Sequence, residues 1–276
     1  MNKATPPRID HKAAASLIEP LTDLVIRAGH AILAVDRTTL KVDGKTDGSP
    51  VTEADLAADR IIGAGLARLA PDIPSLSEER VQLAQLPYRD SFFLIDPLDG
   101  TKEFVAGRDE FTVNLALVTG RLPLLGIVAA PALGLIWRGI VGRGAERLTL
   151  HDAAVPRRVE PIRTRPCPPR GQPWTVAVSR SHGDARTEAF IAARPGAVRS
   201  ELGSAVKFGR VAEGAVDIYP RMSPTCEWDV AAGHAVVTAA GGRITDSKGA
   251  ALHFGAGRAD FILPEFIAWG DPKAVS

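Results

Sequence analysis

Between residues 13 and 36 apolar side chains recur at helical spacing, in "AASLIEPLTDLVIRAGHAILAV", and predict an amphipathic helix. Pro20 falls near its front, where a missing N–H is tolerable as a kink or a first-turn residue. The polar "DGKTDGSP" predicts a loop, and "VTEADLAADRIIGAGLARLAP" a second amphipathic helix ended by Pro71. "FFLID" is a continuous apolar run of strand length. From 111 to 150 short apolar segments are separated by Gly and Pro: "FTVNLALVTG", "LPLLGIVAAP", "LGLIWRGIVG" and "GAERLTL". They predict an antiparallel sheet with short connections.

The Pro- and Arg-rich "VPRRVEPIRTRPCPPRGQP" predicts a solvated edge and inter-domain linker, because Pro blocks regular structure and no aromatics are interleaved with the arginines. Beyond it, strand-like "WTVAVS", "AVRSEL", "AVDIYPR" and "RITDS" alternate with helix-like "RTEAFIAAR", "SAVKFGRVAEG" and "DVAAGHAVVTAAGG". The pattern predicts an α+β half over 1–155, a linker over 156–173 and an α/β half over 174–276, without an internal repeat.

Composition narrows the classes. The 276 residues suffice for one large domain or two modest ones, and 45% hydrophobic with 24% charged residues describes a soluble globular protein. A net charge of +1 provides no global field for nucleic acid or an anionic membrane, so an anionic ligand must be held by a local site. Two cysteines without CxxC spacing point to a reducing compartment. No secretory signal pattern and no apolar run near the roughly 18–20 residues of a membrane span are present, so a cytoplasmic location is expected. Peripheral membrane contact is left open. A GxxxxGK[ST] phosphate loop and a GxSxG elbow are both absent.

Four acidic positions carry candidate chemistry. Asp96 is expected to end the "FFLID" strand, since Pro97 cannot continue the ladder, and Gly100 permits a tight turn. Such a turn points Asp96, Asp99 and the Leu98 carbonyl into one small volume. Carboxylates that close repel unless one is protonated or a cation lies between them. Singly, a strand cap and a helix start would explain them; as a pair they point to a divalent metal. Glu78 and Glu79 in "LSEER" would by themselves be solvated surface. Thr52 and Asp55 form a capping-box pattern worth about 1 kcal/mol, which would also hold Asp55 rigidly at a helix mouth. Asp229 opens a small-residue helix whose first-turn N–H groups are open to an anion. Hard oxygen ligands on several loops, with no Cys/His cluster, suit Mg²⁺. A pair of ions ~3.5–4 Å apart suits in-line attack on a phosphate ester.

In content and order, "DGSPVTEAD", "LSEER", "DPLDGTKEF" and "WDVAAGHAVVTAAGG" resemble the inositol monophosphatase superfamily of Mg²⁺-dependent, lithium-sensitive phosphatases. The resemblance implies a layered αβαβα sandwich of the inositol monophosphatase/fructose-1,6-bisphosphatase type and about two or three Mg²⁺ ions per site. Glu78, Asp96 and the Leu98 carbonyl would hold one metal, and Asp96, Asp99 and Asp229 a second. Asp55 and Thr101 would be the catalytic, water-activating pair. Gly100 and Thr101 would bind the phosphate, with Asp229 also beside the substrate. The family often dimerises, which implies a homodimer.

"SRSHGDA", "LGSAVKFGRVAEG", "DIYPRMSPTCEWD" and the Lys-Glu after Thr101 resemble the family's bacterial 3'(2'),5'-bisphosphate nucleotidase branch. His182, Ser204, Lys207 and Arg221 would then contact the nucleotide and its second phosphate. The implied reaction converts adenosine 3',5'-bisphosphate to adenosine 5'-phosphate and phosphate, clearing a by-product of sulfate assimilation. The 5'-phosphosulfate analogue is a further implied substrate. Inositol 1-phosphate and sugar phosphates, including fructose 1,6-bisphosphate, stay open as alternatives, as does a non-catalytic phosphate-binding protein. Glu227 departs from the pattern by adding a carboxylate near Asp229, and is expected to face outward because adjacent residues seldom share a face.

Overall fold

The computed structural model describes residues 8–40, 42–44, 50–83, 90–150, 158–180, 183–255 and 261–275. Asp10 caps α1 (His11–Leu33) by accepting from the Ala13 N–H at 2.8 Å, and Pro20 lies inside the helix. Its buried stripe runs through Ala14, Leu21, Leu24, Val25, Ala28 and Ile32. The ends of the expected loop are paired: β1 (Val42–Gly44) lies antiparallel to β2 (Pro50–Thr52), which enters α2 (Glu53–Leu69). Two helices thus form one layer.

The next layer is a seven-stranded sheet in chain order. It comprises β3 (Ser75–Ser77), β4 (Ser91–Asp99), β5 (Thr112–Thr119), β6 (Leu122–Ala130), β7 (Leu135–Ile140), β8 (Gly144–Thr149) and β9 (Arg158–Ile162). Only the β3–β4 pairing is parallel. A short helix, α3 (Thr101–Val105), follows β4. Strand β4 is covered on both faces, which is why its sequence is continuously apolar. Period-two alternation still divides it: Phe93 and Ile95 join the core under α1 and α2, while Phe92 and Leu94 join the core on the opposite face.

Strand β9 corrects the expected linker. Residues 158–162 are an edge strand, with Leu148 opposite Val159 and Glu146 opposite Pro161. An edge tolerates proline, and ion pairs of Glu160 with Arg147 and Arg158 fix the strand's polar side chains.

The remaining elements are β10 (Thr175–Ser179), α4 (Ala185–Ala192), β11 (Val198–Leu202), α5 (Val206–Ala212), β12 (Ile218–Arg221), β13 (Thr225–Cys226), α6 (Glu227–Ala239), β14 (Arg243–Thr245), β15 (Ile262–Leu263) and β16 (Phe266–Trp269). A second, five-stranded sheet has the order β11-β10-β12-β16-β14, parallel among the first three strands and antiparallel thereafter. Helices α5 and α6 share a core with inward residues of both sheets, and α4 covers the outer face of the second through Ile191. The layers are α, β, α, β, α. Among the described residues no helix is long and apolar enough to cross a membrane.

Burial of α6 between two sheets explains its small residues, because bulk on either side would force the layers apart. A Cβ on Gly126 of β6 would lie 2.2 Å from the Ala232 carbonyl oxygen of α6. Gly126→Ala is therefore expected to cost about 1–3 kcal/mol by overpacking, read as a lower urea midpoint at unchanged slope.

Candidate active site

Strand β4 does not end at Asp96. It pairs Asp96 with Asn114 and continues to Asp99 opposite Thr112, with a register shift between them. One extra residue on the β4 side makes a bulge, and a bulge accommodates Pro97 without ending the strand. The correction matters for the chemistry because the bulge re-aims both carboxylates. Asp96 is buried and accepts from the Leu98 N–H at 3.1 Å. Gly100 follows with φ 91°, a left-handed turn open to glycine, and Thr101 begins α3.

Asp55 is anchored as the capping-box pattern predicts. Its Oδ2 accepts from the Thr52 N–H at 2.8 Å and the Thr52 hydroxyl at 2.6 Å. The other oxygen accepts from Thr101 Oγ1 at 3.1 Å, which also lies 3.2 Å from the Leu98 carbonyl. Two residues 46 positions apart are thereby joined, one from a helix mouth and one from the turn after β4.

Glu78 opens the 3-10 turn after β3. Its neighbours are fixed by α2: Asp59 accepts from the Ser77 hydroxyl at 2.6 Å and pairs with Arg80 at 2.9 Å. Asp229 stands in the first turn of α6, where Oδ2 accepts from the Thr225 hydroxyl and from the Cys226 N–H at 3.2 Å. Asp99 Oδ2 accepts from Ser204 Oγ at 2.5 Å. A cleft of about 190 Å³ runs over these groups. Glu78, Asp99, Gly100, Thr101 and Asp229 line it, together with Lys207, Tyr219, Arg221 and Phe266.

Acids and cations share the cleft and act on one another, Arg221 on Asp229 and Asp99 on Lys207. Burial, with the Asp99 and Glu78 carboxylates, pushes the Asp229 carboxyl up to about 7. Among the described residues no three acidic, His or Cys side chains are gathered closely enough to form a ready metal site; hydroxyls hold Asp55, Asp99 and Asp229 in place. The donor set nonetheless fits a hard divalent cation. It is all oxygen, drawn from separate elements, and its crowded charge raises the pKa of a buried member, which a bound cation would lower.

Lys207 is buried rather than on a helix surface. Its Nζ donates to the Leu202 carbonyl at 3.2 Å and lies 5.2 Å from the Tyr219 ring centre. Burial, with Arg221 adding to it, holds the ammonium down to about 8. Arg221 Nη2 donates to the Pro224 carbonyl at 3.2 Å, while its buried Nε has no partner among the described residues. His182 lies outside the described residues. Glu227 is fully buried, contrary to the outward orientation expected. It points to the other side of the helix mouth, where Oε2 accepts from the Gly255 N–H at 2.6 Å. A helix covered by two sheets has no outward side there.

Residues 14–267 match the profile of the Inositol monophosphatase family. The chain belongs to this family. Among curated relatives, 3'(2'),5'-bisphosphate nucleotidase CysQ of Shigella flexneri is 38% identical over 91% of this chain and 98% of that protein. The Escherichia coli K12 protein of the same name is 37% identical over the same shares. Among solved structures, CysQ from Bacteroides thetaiotaomicron, a bacterial member of the family, superposes with TM-score 0.75 at 32% identity, covering 92% of this chain and 97% of that one. A Thermotoga maritima IMPase superposes at 0.71 and 27% identity, with 93% of each chain covered. This is a family of metal-dependent phosphatases, and the layered fold is the family's own.

Thr112 and Asn114 border the site although no sequence motif marked them, and Tyr219 and Thr225 border it from within "DIYPRMSPTCEWD" without having been singled out. Thr112 and Asn114 reach it because β5 pairs in register with β4. Thr225 is four residues before Asp229 and was legible in principle as a hydroxyl ahead of a helix N-terminus. Removing the analogous support of Asp55 is testable. Thr52→Ala should lose about 1 kcal/mol of stability with the cap and lower kcat more than it raises KM, measured by urea unfolding and steady-state phosphate release.

Proposed function

We propose that this chain is a metal-dependent 3'(2'),5'-bisphosphate nucleotidase that removes the 3'-phosphate of adenosine 3',5'-bisphosphate, leaving adenosine 5'-phosphate and inorganic phosphate. One observation carries the reading: a single cleft is lined both by carboxylates able to hold metal and by two cations, Lys207 and Arg221, for a second anion. A substrate with one phosphate would need only the carboxylates. The names of the Shigella and Escherichia coli relatives support the same substrate class.

Mg²⁺ held by Glu78, Asp96, the Leu98 carbonyl, Asp99 and Asp229 would supply Lewis acidity toward the phosphate and lower the pKa of a bound water. Thr101 donates its proton to Asp55, which leaves the hydroxyl's lone pairs to accept a hydrogen bond from the attacking water. As the water attacks, its proton passes to Thr101 while Thr101 passes its own to Asp55. Thr52, bound to the far oxygen of Asp55, keeps the carboxylate aimed during that transfer. The Gly100–Thr101 backbone meets the 3'-phosphate. Lys207 Nζ and the unpartnered Arg221 Nε donate to the 5'-phosphate, charge-assisted hydrogen bonds of the stronger kind. No side chain becomes phosphorylated. In the cytoplasm the reaction would clear the nucleotide by-product of sulfate activation.

A panel with Mg²⁺ and added Li⁺ tests the assignment. Phosphate release should favour adenosine 3',5'-bisphosphate and be inhibited by Li⁺; a preference for inositol 1-phosphate would overturn the nucleotide reading. Asp99→Asn should abolish turnover with the fold intact by circular dichroism.

Lys207 gives a pH dependence with a definite sign. Its folded pKa of about 8 lies below the ordinary 10.5, so the ammonium is charged below about 8 and lost above it. The kcat/KM for the bisphosphate should fall above pH 8, as a profile from pH 6 to 10 would show. The same depression means that the buried charge destabilises the free protein at pH 7, and that stability rises from pH 8 toward 10.5. Lys207→Met should therefore gain stability, on the order of 3 kcal/mol by linkage, while losing the preference for a bisphosphate over a monophosphate.

A further inference from the structure

Asp55, Asp59 and Gly63 recur at four-residue spacing along α2, a single stripe of the helix with about 6 Å between successive positions. Both acids are buried, and like charges one turn apart repel. Each has donors of its own. Asp55 accepts from Thr52 and Thr101. Asp59 draws its donors from another segment: Oδ1 accepts from the Ser77 hydroxyl at 2.6 Å, and Arg80 Nε lies 3.2 Å from Oδ1 and 2.9 Å from Oδ2. Gly63 leaves room for the arginine, since a Cβ there would lie 3.2 Å from Arg80 Nη2.

Ser77 and Arg80 straddle Glu78, one residue before it and two after. The backbone that carries Glu78 has little support of its own. Among the described residues β3 is a three-residue strand at the edge of its sheet, beside β4. The 3-10 turn from Glu78 to Leu83 has poorer hydrogen-bond geometry than an α-helix. Ties from both flanks to one carboxylate on a long helix remove the freedom of that turn to rotate. An ion pair to a partly exposed arginine contributes little stability by itself, so its placement is the informative part. It closes around the acid that lines the cleft.

We propose that Asp59 is a positioning residue for Glu78, holding the residues on both of its flanks so that the Glu78 carboxylate is presented to the metal. Helix α2 then carries the water-activating acid and, one turn on, the support of a metal ligand. The proposal rests on Glu78 being a metal ligand, and the test separates the two. Asp59→Asn keeps the size of the side chain and an acceptor for Ser77 but loses the charge that pairs with Arg80. Ser77→Ala removes the other tie and leaves the ion pair in place. Ile62→Val, buried on the same helix, costs stability without touching either tie. Mn²⁺ binding to the full chain, without substrate, is followed by the electron paramagnetic resonance of the free ion for wild type, these three variants and Glu78→Gln. Urea unfolding and the Mg²⁺ dependence of phosphate release accompany it.

The expected result is Mn²⁺ affinity weakened about tenfold or more in Asp59→Asn, in the direction of Glu78→Gln, less in Ser77→Ala and not at all in Ile62→Val. The Mg²⁺ concentration for half-maximal phosphate release should rise by a similar factor in Asp59→Asn, while kcat at saturating Mg²⁺ returns close to that of wild type. Mn²⁺ affinity unaltered in Asp59→Asn but weakened in Glu78→Gln overturns the role of Asp59 and keeps the metal reading. If Asp59→Asn does not fold, unaltered affinity in Ser77→Ala has the same meaning. An equal loss in Asp59→Asn and Ile62→Val assigns the effect to stability and also overturns the proposal. Glu78→Gln without effect on Mn²⁺ removes both.

Discussion

Mutual repulsion of carboxylates is the constraint around which this molecule is arranged. Glu78, Asp99 and Asp229 line one cleft from a turn, a bulged strand and a helix, and none would stay there by its own preference. Hydroxyl and amide donors oppose that repulsion, and most come from elements other than the acid they hold. Thr225 and the Cys226 N–H hold Asp229, Ser204 donates to Asp99, and Thr52 with Thr101 holds Asp55. The charged state of the site depends on these small polar residues as much as on the acids.

Layering makes such cross-element support available. Helix α6 lies between the two sheets and carries Asp229 in its first turn, with mostly Ala, Gly and Val in its buried body. The same burial turns Glu227 and Lys207 inward. Glu227 accepts a hydrogen bond from the Gly255 amide in the loop beyond β14, whereas burial holds the Lys207 pKa down to about 8. A buried ammonium beside a guanidinium is costly to the fold and becomes sensible where a dianion completes the pair.

The acidic motifs were local and therefore legible. "DPLDGTKEF", the capping box at Thr52–Asp55 and the acid at the mouth of a small-residue helix each concern residues within a few positions of one another. The hydrogen bonds of the capping box form as the local pattern predicts. The strand's continuation through Pro97, the edge strand at 158–162 and the inward Glu227 were misread for a common reason. Each depends on a neighbour supplied by another part of the chain: β5, β8 and the second sheet respectively.

By itself, then, the sequence determined the alternation of elements, the family and the identity of the acids, because periodicity and motif are properties of contiguous residues. Tertiary structure alone decided that Asp99 Oδ2 meets Ser204 and that Asp55 meets Thr101. It also decided that Lys207 is buried beside Arg221. Register, layer spacing and burial set those outcomes, and all three arise from contacts between segments that no single stretch of sequence contains.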